Sequence, residues 1–148
     1  MPFVVRFVTP EEEAAWREES PDDDRYTSRV FTQELRALLL PRGGFAPVGQ
    51  KALVAELDGE IVAIAHYHSH HDSASGSRDW YIDDLAVAPG DRAQGAATAI
   101  VQHIMGLARA VGPGGLLRWV TAADDEQARR VSDRIAARSS WDAYEVRI

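Results

Sequence analysis

The residues best suited to chemistry lie in one short stretch, where an apolar segment that ends at Val87 runs through a polar turn into an amphipathic segment. The turn reads RAQGAA over residues 92–97. A helix that begins here presents free backbone N–H groups and the positive end of its dipole beside the guanidinium of Arg92, which suits a pyrophosphate. Small side chains let phosphates approach the backbone closely. These small residues are Ala93, Gly95, Ala96 and Ala97.

Ionisable residues cluster on two segments upstream of this turn. Asp83 and Asp84 lie side by side in the apolar segment, and HYHSHH occupies residues 66–71. On a strand, the three histidines at even positions share one face. Three imidazoles on one face suit zinc or another transition metal. Alternatively, His66 or His68 could line a substrate pocket or act as a base, or the histidines could form a polar strand end near solvent.

Composition excludes several kinds of site and partner. The 148 residues fit one domain, 45% of them are hydrophobic, and none is cysteine, which excludes disulfides, thiolate metal ligands and a cysteine nucleophile. The net charge of -7 argues against nucleic acid as the main partner. No apolar run approaches the roughly 20 residues of a membrane span. The N-terminal sequence lacks the pattern of a signal peptide, so a cytoplasmic location is expected.

Hydrophobic periodicity and turn signals predict the elements that position these residues. Thr9 and Glu12 form a capping box at the start of a helix, and Asp58-Gly59 predicts a tight hairpin. The order β-α-α-β-β-β-α-β-α-β implies a mixed sheet with helices on its faces. The predicted strands are Phe3–Val8, Ala52–Leu57, Ile61–His70, Trp80–Val87, Leu116–Thr121 and Trp141–Arg147, and the predicted helices are Thr9–Trp16, Arg25–Leu40, Gln94–Val111 and Asp125–Arg138.

This order, with the RAQGAA turn before its long third helix, resembles the GNAT superfamily of N-acetyltransferases. The acetyl-CoA signature of that family, Arg/Gln-x-x-Gly-x-Gly/Ala, is matched by Arg92, Gly95 and Ala97. The preceding Asp-Asp-Leu-x-Val-x-Pro is similar to the family's fourth strand and its exit. The resemblance implies a single domain over residues 1–148 with an α/β (α+β) fold. Its sheet would be mixed and mostly antiparallel, with about four helices on both faces.

The resemblance also implies acetyl-CoA as co-substrate, bound in a V-shaped opening between the fourth and fifth strands. In such proteins the backbone of the fourth strand pairs with the pantetheine arm, which here assigns Leu85, Ala86 and Val87. The phosphates would lie on the loop and the first helical turn. The residues assigned to them are Arg92, Ala93, Gln94, Gly95, Ala96, Ala97 and Thr98.

A second family segment, Asn-x-x-Ala-x-x-x-Tyr, is only partly matched. Ala128 agrees with the pattern. Asp125 replaces the asparagine, so a contact with pantetheine would use its carboxylate oxygens. Ser132 replaces the tyrosine that commonly protonates the departing thiolate. Ser132 could hydrogen-bond the sulfur instead, and Tyr81 and Tyr144 are alternative donors.

Acetyl transfer requires a neutral amine, a polarised thioester carbonyl and a thiolate that can leave. Lysine-like amines have a pKa of about 10.4, so a base must take a proton near neutral pH. By resemblance Asp83 is the candidate base, and a backbone N–H at Val87 is the candidate donor to the carbonyl. Strand alternation places Asp84 on the opposite face, in a structural role.

The acceptor implied by the resemblance is a primary amine of a small molecule or peptide, acetylated by direct attack. Acidic residues at 22–24 and Asp83 favour a cationic amine. The main alternative is a catalytically weak or silent module that binds acyl-CoA. The resembled family needs no metal, and homodimers are common in it. Candidate pocket residues are Trp16, Tyr26, Phe31, His68 and Trp80.

Overall fold

The computed structural model describes residues 3–9, 51–112 and 114–148, apart from the side chain of Arg92. The two helices predicted between Thr9 and Leu40 lie outside these residues. So do three of the candidate pocket residues and the acidic run at 22–24. Among the described residues, no helix is long and apolar enough to cross a membrane.

The described strands form one mixed sheet in the order β1-β2-β3-β4-β5. The first four strands pair antiparallel, and β5 lies parallel to β4. This confirms the predicted mixed, mostly antiparallel sheet. The strands are β1, Val4–Phe7; β2, Lys51–Leu57; β3, Glu60–His71; β4, Arg78–Val87; and β5, Leu117–Arg118.

Two tight turns connect the antiparallel strands β2, β3 and β4. Asp58 and Gly59 both have positive φ, 52° and 83°, as a primed hairpin turn requires, so the predicted hairpin is confirmed. In the turn after β3, the Ser75 hydroxyl and the Ala74 N–H donate to the Asp72 carboxylate at 2.7 and 3.1 Å. These hydrogen bonds hold the pKa of Asp72 below its ordinary value.

Two helices are described, α1 at Ala96–Val111 and α2 at Glu126–Ile135. Helix α1 carries the chain from β4 to the parallel β5, as the sequence predicts. Its buried face packs on one side of the sheet through Ile100, Val101 and Ile104. Alternate residues of the strands form a second apolar cluster on the other side, made of Val54, Ile61, Ile64 and Ala86.

The predicted last strand, Trp141–Arg147, is wrong. Residues 136–148 contain neither helix nor strand, and Tyr144 is 91% exposed. The alternation of Tyr144, Val146 and Ile148 with charged residues suits a strand. A strand also needs a partner edge, and β5 offers only two residues to pair with.

The junction of β4 with β5 is held by a buried carboxylate, Asp79, which the sequence did not single out. Its Oδ1 accepts a hydrogen bond from the Leu116 N–H at 3.1 Å, and its Oδ2 accepts one from Arg118 Nη1 at 3.2 Å. Gly115 lies so close to the backbone that a β-carbon there would overlap the carbonyl oxygen of Arg78. These contacts fix where β5 begins beside β4.

We therefore expect Gly115→Ala to lower the free energy of unfolding by about 1–3 kcal/mol, because a methyl group forced into packed backbone must displace it. The matched control is Gly106→Ala. Gly106 is exposed within α1, and a β-carbon added there would have no neighbouring atom within 4 Å. Its replacement should be neutral or stabilising by up to about 1 kcal/mol. Urea denaturation of both variants measures this, and equal stability of the two would contradict the close packing at Gly115.

Candidate active site

Among the described residues, strand β4 has no paired neighbour along one edge of its second half, and we call this its open edge. The strands β4 and β5 pair only at Trp80 with Leu117 and at Tyr81 with Arg118. Beyond Tyr81, β4 continues to Val87 with β3 as its one partner within the described part of the chain. We call the space beside residues 82–87 the β4–β5 opening. An extended ligand can pair with such an edge as an added strand.

The residues assigned to pantetheine line this edge. Leu85 pairs with Ala65 of β3, and Val87 pairs with Ala63. Leu85 packs against the core cluster under α1, Ala86 is buried in the cluster on the other face, and Val87 is exposed. Because the side chains of Leu85 and Ala86 are engaged in packing, it is the backbone of this segment that is available to a ligand.

The loop after β4 leads directly into the start of α1. Residues Asp91–Ala93 form a 3₁₀ turn, and the N–H of Gln94 donates to the Asp91 carbonyl at 3.1 Å. Gly95 follows in the left-handed conformation, at φ 92°, as the N-cap of α1. The N-cap residue, Gly95, has no side chain to cap this end, and the first turn contains no acidic residue. The first-turn N–H groups, which have no acceptor within the helix, therefore face outward with the positive end of the dipole.

The small residues of the loop allow close packing on the core and permit a positive φ at Gly95. Ala93 and Ala96 are buried in the core cluster beneath the loop, so their size is set by packing. Gly95 is needed for its positive φ, and an added β-carbon would lie 3.4 Å from the ring of Phe3. Gln94 is exposed, and Ala97 and Thr98 are partly exposed. A ligand at this loop therefore meets backbone and short side chains.

The two neighbouring aspartates lie at a β-bulge. His66 pairs with Asp84 and Tyr67 pairs with Ile82, which leaves Asp83 as an extra residue in β4. A bulge interrupts the alternation of side chains between the faces. The prediction that Asp84 lies on the opposite face from Asp83 is therefore wrong, because both carboxylates reach histidines that share one face of β3.

Each aspartate contacts one histidine. Nδ1 of His66 lies 2.7 Å from Oδ1 of Asp84, and we call this the inner pair. Nδ1 of His68 lies 2.9 Å from Oδ2 of Asp83, and we call this the outer pair. The His66 side chain is only 4% exposed, whereas that of His68 is 38% exposed. The outer pair is therefore the one that an incoming molecule can reach.

The two pairs lie on the sheet face opposite α1. His66 and His68 follow Ile64 at alternate positions of β3, and Ile64 belongs to the apolar cluster on that face. Tyr67 lies on the α1 side, where burial raises the pKa of its phenol. Trp80, a candidate pocket residue, also lies on the α1 side, with its ring 6.1 Å from that of Tyr67. Trp80 lines a cavity of about 500 Å³ between α1, β5 and α2.

The histidine segment does not gather into a metal site. Within the part of the chain that the structure describes, no group of three or more metal-ligating side chains could hold an ion. His66 and His68 lie against carboxylates instead, and the ring of His70 lies 6.0 Å from that of His68. The arrangement is suited to holding and moving protons.

The residues of the second family segment have local partners. Oδ1 of Asp125 accepts a hydrogen bond from the Ala128 N–H at 3.0 Å and caps α2. Oγ of Ser132 accepts a hydrogen bond from the Trp119 indole at 2.9 Å, which leaves the hydroxyl proton of Ser132 as a donor. Of the alternative donors, Tyr144 is exposed, and the ring of Tyr81 lies 5.8 Å from that of His68.

Comparison with known proteins gives a family and a common fold. The sequence profile of the acetyltransferase (GNAT) family matches residues 6–135. No curated protein matches the sequence. A ribosomal-protein-alanine N-acetyltransferase from Brucella melitensis biovar Abortus 2308 is similar in structure, with a TM-score of 0.70, 18% identity and 99% of each chain covered.

Two aminoglycoside acetyltransferases are also similar in structure. One, from an uncultured soil metagenomic sample, has a TM-score of 0.65 and 26% identity, with 100% of this chain and 99% of that chain covered. The other was solved in complex with CoA and has a TM-score of 0.67 and 16% identity, with 98% of each chain covered. Together these likenesses show the fold.

If the loop before α1 binds the phosphates of CoA, Gly95→Glu should raise the Kd for CoA at least about tenfold, because a carboxylate would occupy the anion position. Isothermal titration calorimetry measures this, and circular dichroism checks that the variant is folded. Gly106→Glu adds the same charge to the exposed middle of α1 and should change Kd less than about twofold. A folded Gly95→Glu variant with unchanged affinity would contradict the loop assignment.

Proposed function

The chain belongs to the acetyltransferase (GNAT) family, and on that premise we propose that it moves an acetyl group from acetyl-CoA to a primary amine of a small molecule or peptide. The observation that carries the proposal is the continuity of the open β4 edge with the uncapped start of α1. The first suits an extended amide chain, and the second suits a pyrophosphate. Pantetheine and pyrophosphate are joined in this way in CoA.

In this proposal the backbone of Leu85, Ala86 and Val87 pairs with the pantetheine arm. Between Arg92 and Thr98, the phosphates are held by backbone amides other than that of Gln94, whose N–H already donates to Asp91. Asp125 reaches the arm from the start of α2. The N–H of Val87 donates to the thioester carbonyl oxygen and stabilises the negative charge that develops there. Support comes from the exposed position of Val87 and the outward-facing amides of the first turn of α1.

The reaction we propose is a direct attack. The neutral amine nitrogen forms a bond to the thioester carbon, the carbon–sulfur bond breaks, and the amine proton is removed at the Asp83 end of the β4–β5 opening. A thiol has a pKa of about 8.5, so the thiolate leaves without requiring a strong acid. Ser132 donates a hydrogen bond to the sulfur with the proton that Trp119 does not engage.

The acceptor we propose is a cationic amine. Two aspartates lie together on the face that carries the outer pair, and the chain has a net charge of -7. Negative potential raises the local concentration of ammonium substrates. Similar structures include enzymes named for aminoglycosides and for a ribosomal-protein alanine, which are both amine substrates. A polyamine, an aminoglycoside and a peptide N-terminus all satisfy this chemistry.

One observation favours a second function, the binding of acyl-CoA without transfer. The expected tyrosine of the α2 segment is replaced by Ser132, whose aliphatic hydroxyl is a much weaker acid than a phenol with its pKa of about 10. A site with a weaker proton donor for the leaving thiolate would break the carbon–sulfur bond more slowly. Such a protein would bind acetyl-CoA and report its level through a partner.

The two functions are separated by ligand binding followed by an amine panel. Acetyl-CoA at about 100 times its Kd should stabilise the protein by about 2.7 kcal/mol, seen as a rise in Tm. Free thiol should then appear when spermidine, kanamycin or an alanine-terminated peptide is added, and the rate should depend on the amine. A rise in Tm without thiol release would establish the binding module, and no rise in Tm would contradict both functions.

A further inference from the structure

We propose that the atom that takes the amine proton is Nε2 of His68, and that Asp83 acts through His68 as its positioning residue. This inference rests on the function proposed above and deepens it. It starts from the outer pair, in which Nδ1 of His68 lies 2.9 Å from Oδ2 of Asp83. The carboxylate expected to act as the base is therefore already in contact with an imidazole.

The contact determines which nitrogen is basic. An ionised carboxylate only accepts hydrogen bonds, so the neutral imidazole must place its proton on Nδ1 to donate to Asp83. Nε2 is then left with its lone pair as the acceptor. When Nε2 takes a proton, Nδ1 of the imidazolium still donates to the Asp83 carboxylate, now as a charge-assisted hydrogen bond.

Exposure distinguishes the outer pair from the inner pair. The His68 side chain is 38% exposed, so its free nitrogen can meet an amine or a bridging water molecule. The His66 side chain is 4% exposed and holds Asp84, which fixes the second carboxylate beside the bulge. The inner pair therefore supports the site, and the outer pair performs the proton transfer.

The ionisable groups around His68 come from β3 and β4 within the described residues. From β3 they are His66 and His70, the latter with its ring 6.0 Å away. From β4 they are Asp83, Asp84 and Tyr81, whose ring lies 5.8 Å away. The aspartates supply the negative charge in this set, so the cluster attracts an incoming ammonium group.

The proton balance is complete with these groups. The substrate ammonium loses its first proton to water, and the neutral amine attacks the thioester carbon. Of the two protons that the nitrogen then carries, one passes to Nε2 directly or through one water molecule, and the other stays on the amide product. The electron pair of the carbon–sulfur bond leaves with the CoA thiolate. The imidazolium then returns its proton to solvent.

The test compares His68→Gln, Asp83→Asn and the double variant. Glutamine can still donate to Asp83 but cannot take a proton, so His68→Gln should lower kcat by about 10²–10⁴-fold with the Kd for CoA unchanged. The double variant should be about as slow as His68→Gln alone, because the two residues act as a unit. His103→Gln, on α1, is the matched control and should keep wild-type kcat and KM.

The split between kcat and the Kd for CoA is a second readout, because a collapse of the site would change both quantities. If His68→Gln keeps the kcat of the wild type, the inference is overturned and Asp83 acts alone.

A third measurement separates this inference from the proposed function. Nitrogen-15 NMR of the histidine rings reports the tautomer without turnover, and a proton on Nδ1 of His68 is expected in the wild type. Asp83→Asn should abolish that preference. A proton on Nε2 in the neutral wild type would overturn the inference even if the enzyme is active. Absence of turnover with every amine would instead contradict the proposed function.

Discussion

The site depends on the point at which β4 and β5 stop pairing. Two parallel residue pairs join the strands, and the buried carboxylate of Asp79 binds the start of β5 to β4 on one side of them. Beyond Tyr81 the backbone of β4 keeps β3 as its partner and presents its other edge to the opening. Unpaired backbone groups are costly when buried and valuable when a ligand can satisfy them. The place that we propose for the pantetheine arm follows from this edge.

The bulge at Asp83 is the second feature on which the site depends. It lies on the edge of β4 that pairs with β3. One extra residue in β4 brings two adjacent carboxylates to one face, where each reaches a different histidine of β3. A regular strand would have divided them between the two faces. The backbone edge and the acid–imidazole pairs therefore belong to the same few residues. The geometry of β4 links the place that we propose for cofactor binding to the place that we propose for proton transfer.

Much of the fold was predictable because its signals are local. The hairpin at Asp58-Gly59 follows from turn chemistry, and the long α1 follows from periodic apolar residues that end at a glycine. The last strand was predicted wrongly because alternation at Tyr144 and Val146 says nothing about an available partner edge. The face of Asp84 was predicted wrongly because a bulge depends on register between strands, which one strand's sequence does not contain.

The sequence predicts the part of the candidate site that lies in one continuous segment, but not the contacts between separate strands. The pattern of small residues in the loop before α1 allows the sequence to predict that its backbone amides are accessible to a ligand. The burial of Ala93 and Ala96 shows that packing against the core also requires small side chains there. The contact of His68 with Asp83 joins residues fifteen positions apart, and no local pattern states it. The spacing of the histidines at alternate positions predicts that they share one face of a strand, but it does not predict which carboxylates they contact.

Hydrogen–deuterium exchange with and without CoA tests most directly whether CoA binds along the open edge of β4 and the start of α1. The amides of residues 85–87 that face the opening, and those of residues 95–98, should exchange more slowly when CoA is bound, because the ligand would satisfy them. Unchanged exchange in both segments at saturating CoA, or protection confined to another part of the chain, would contradict this mode of binding.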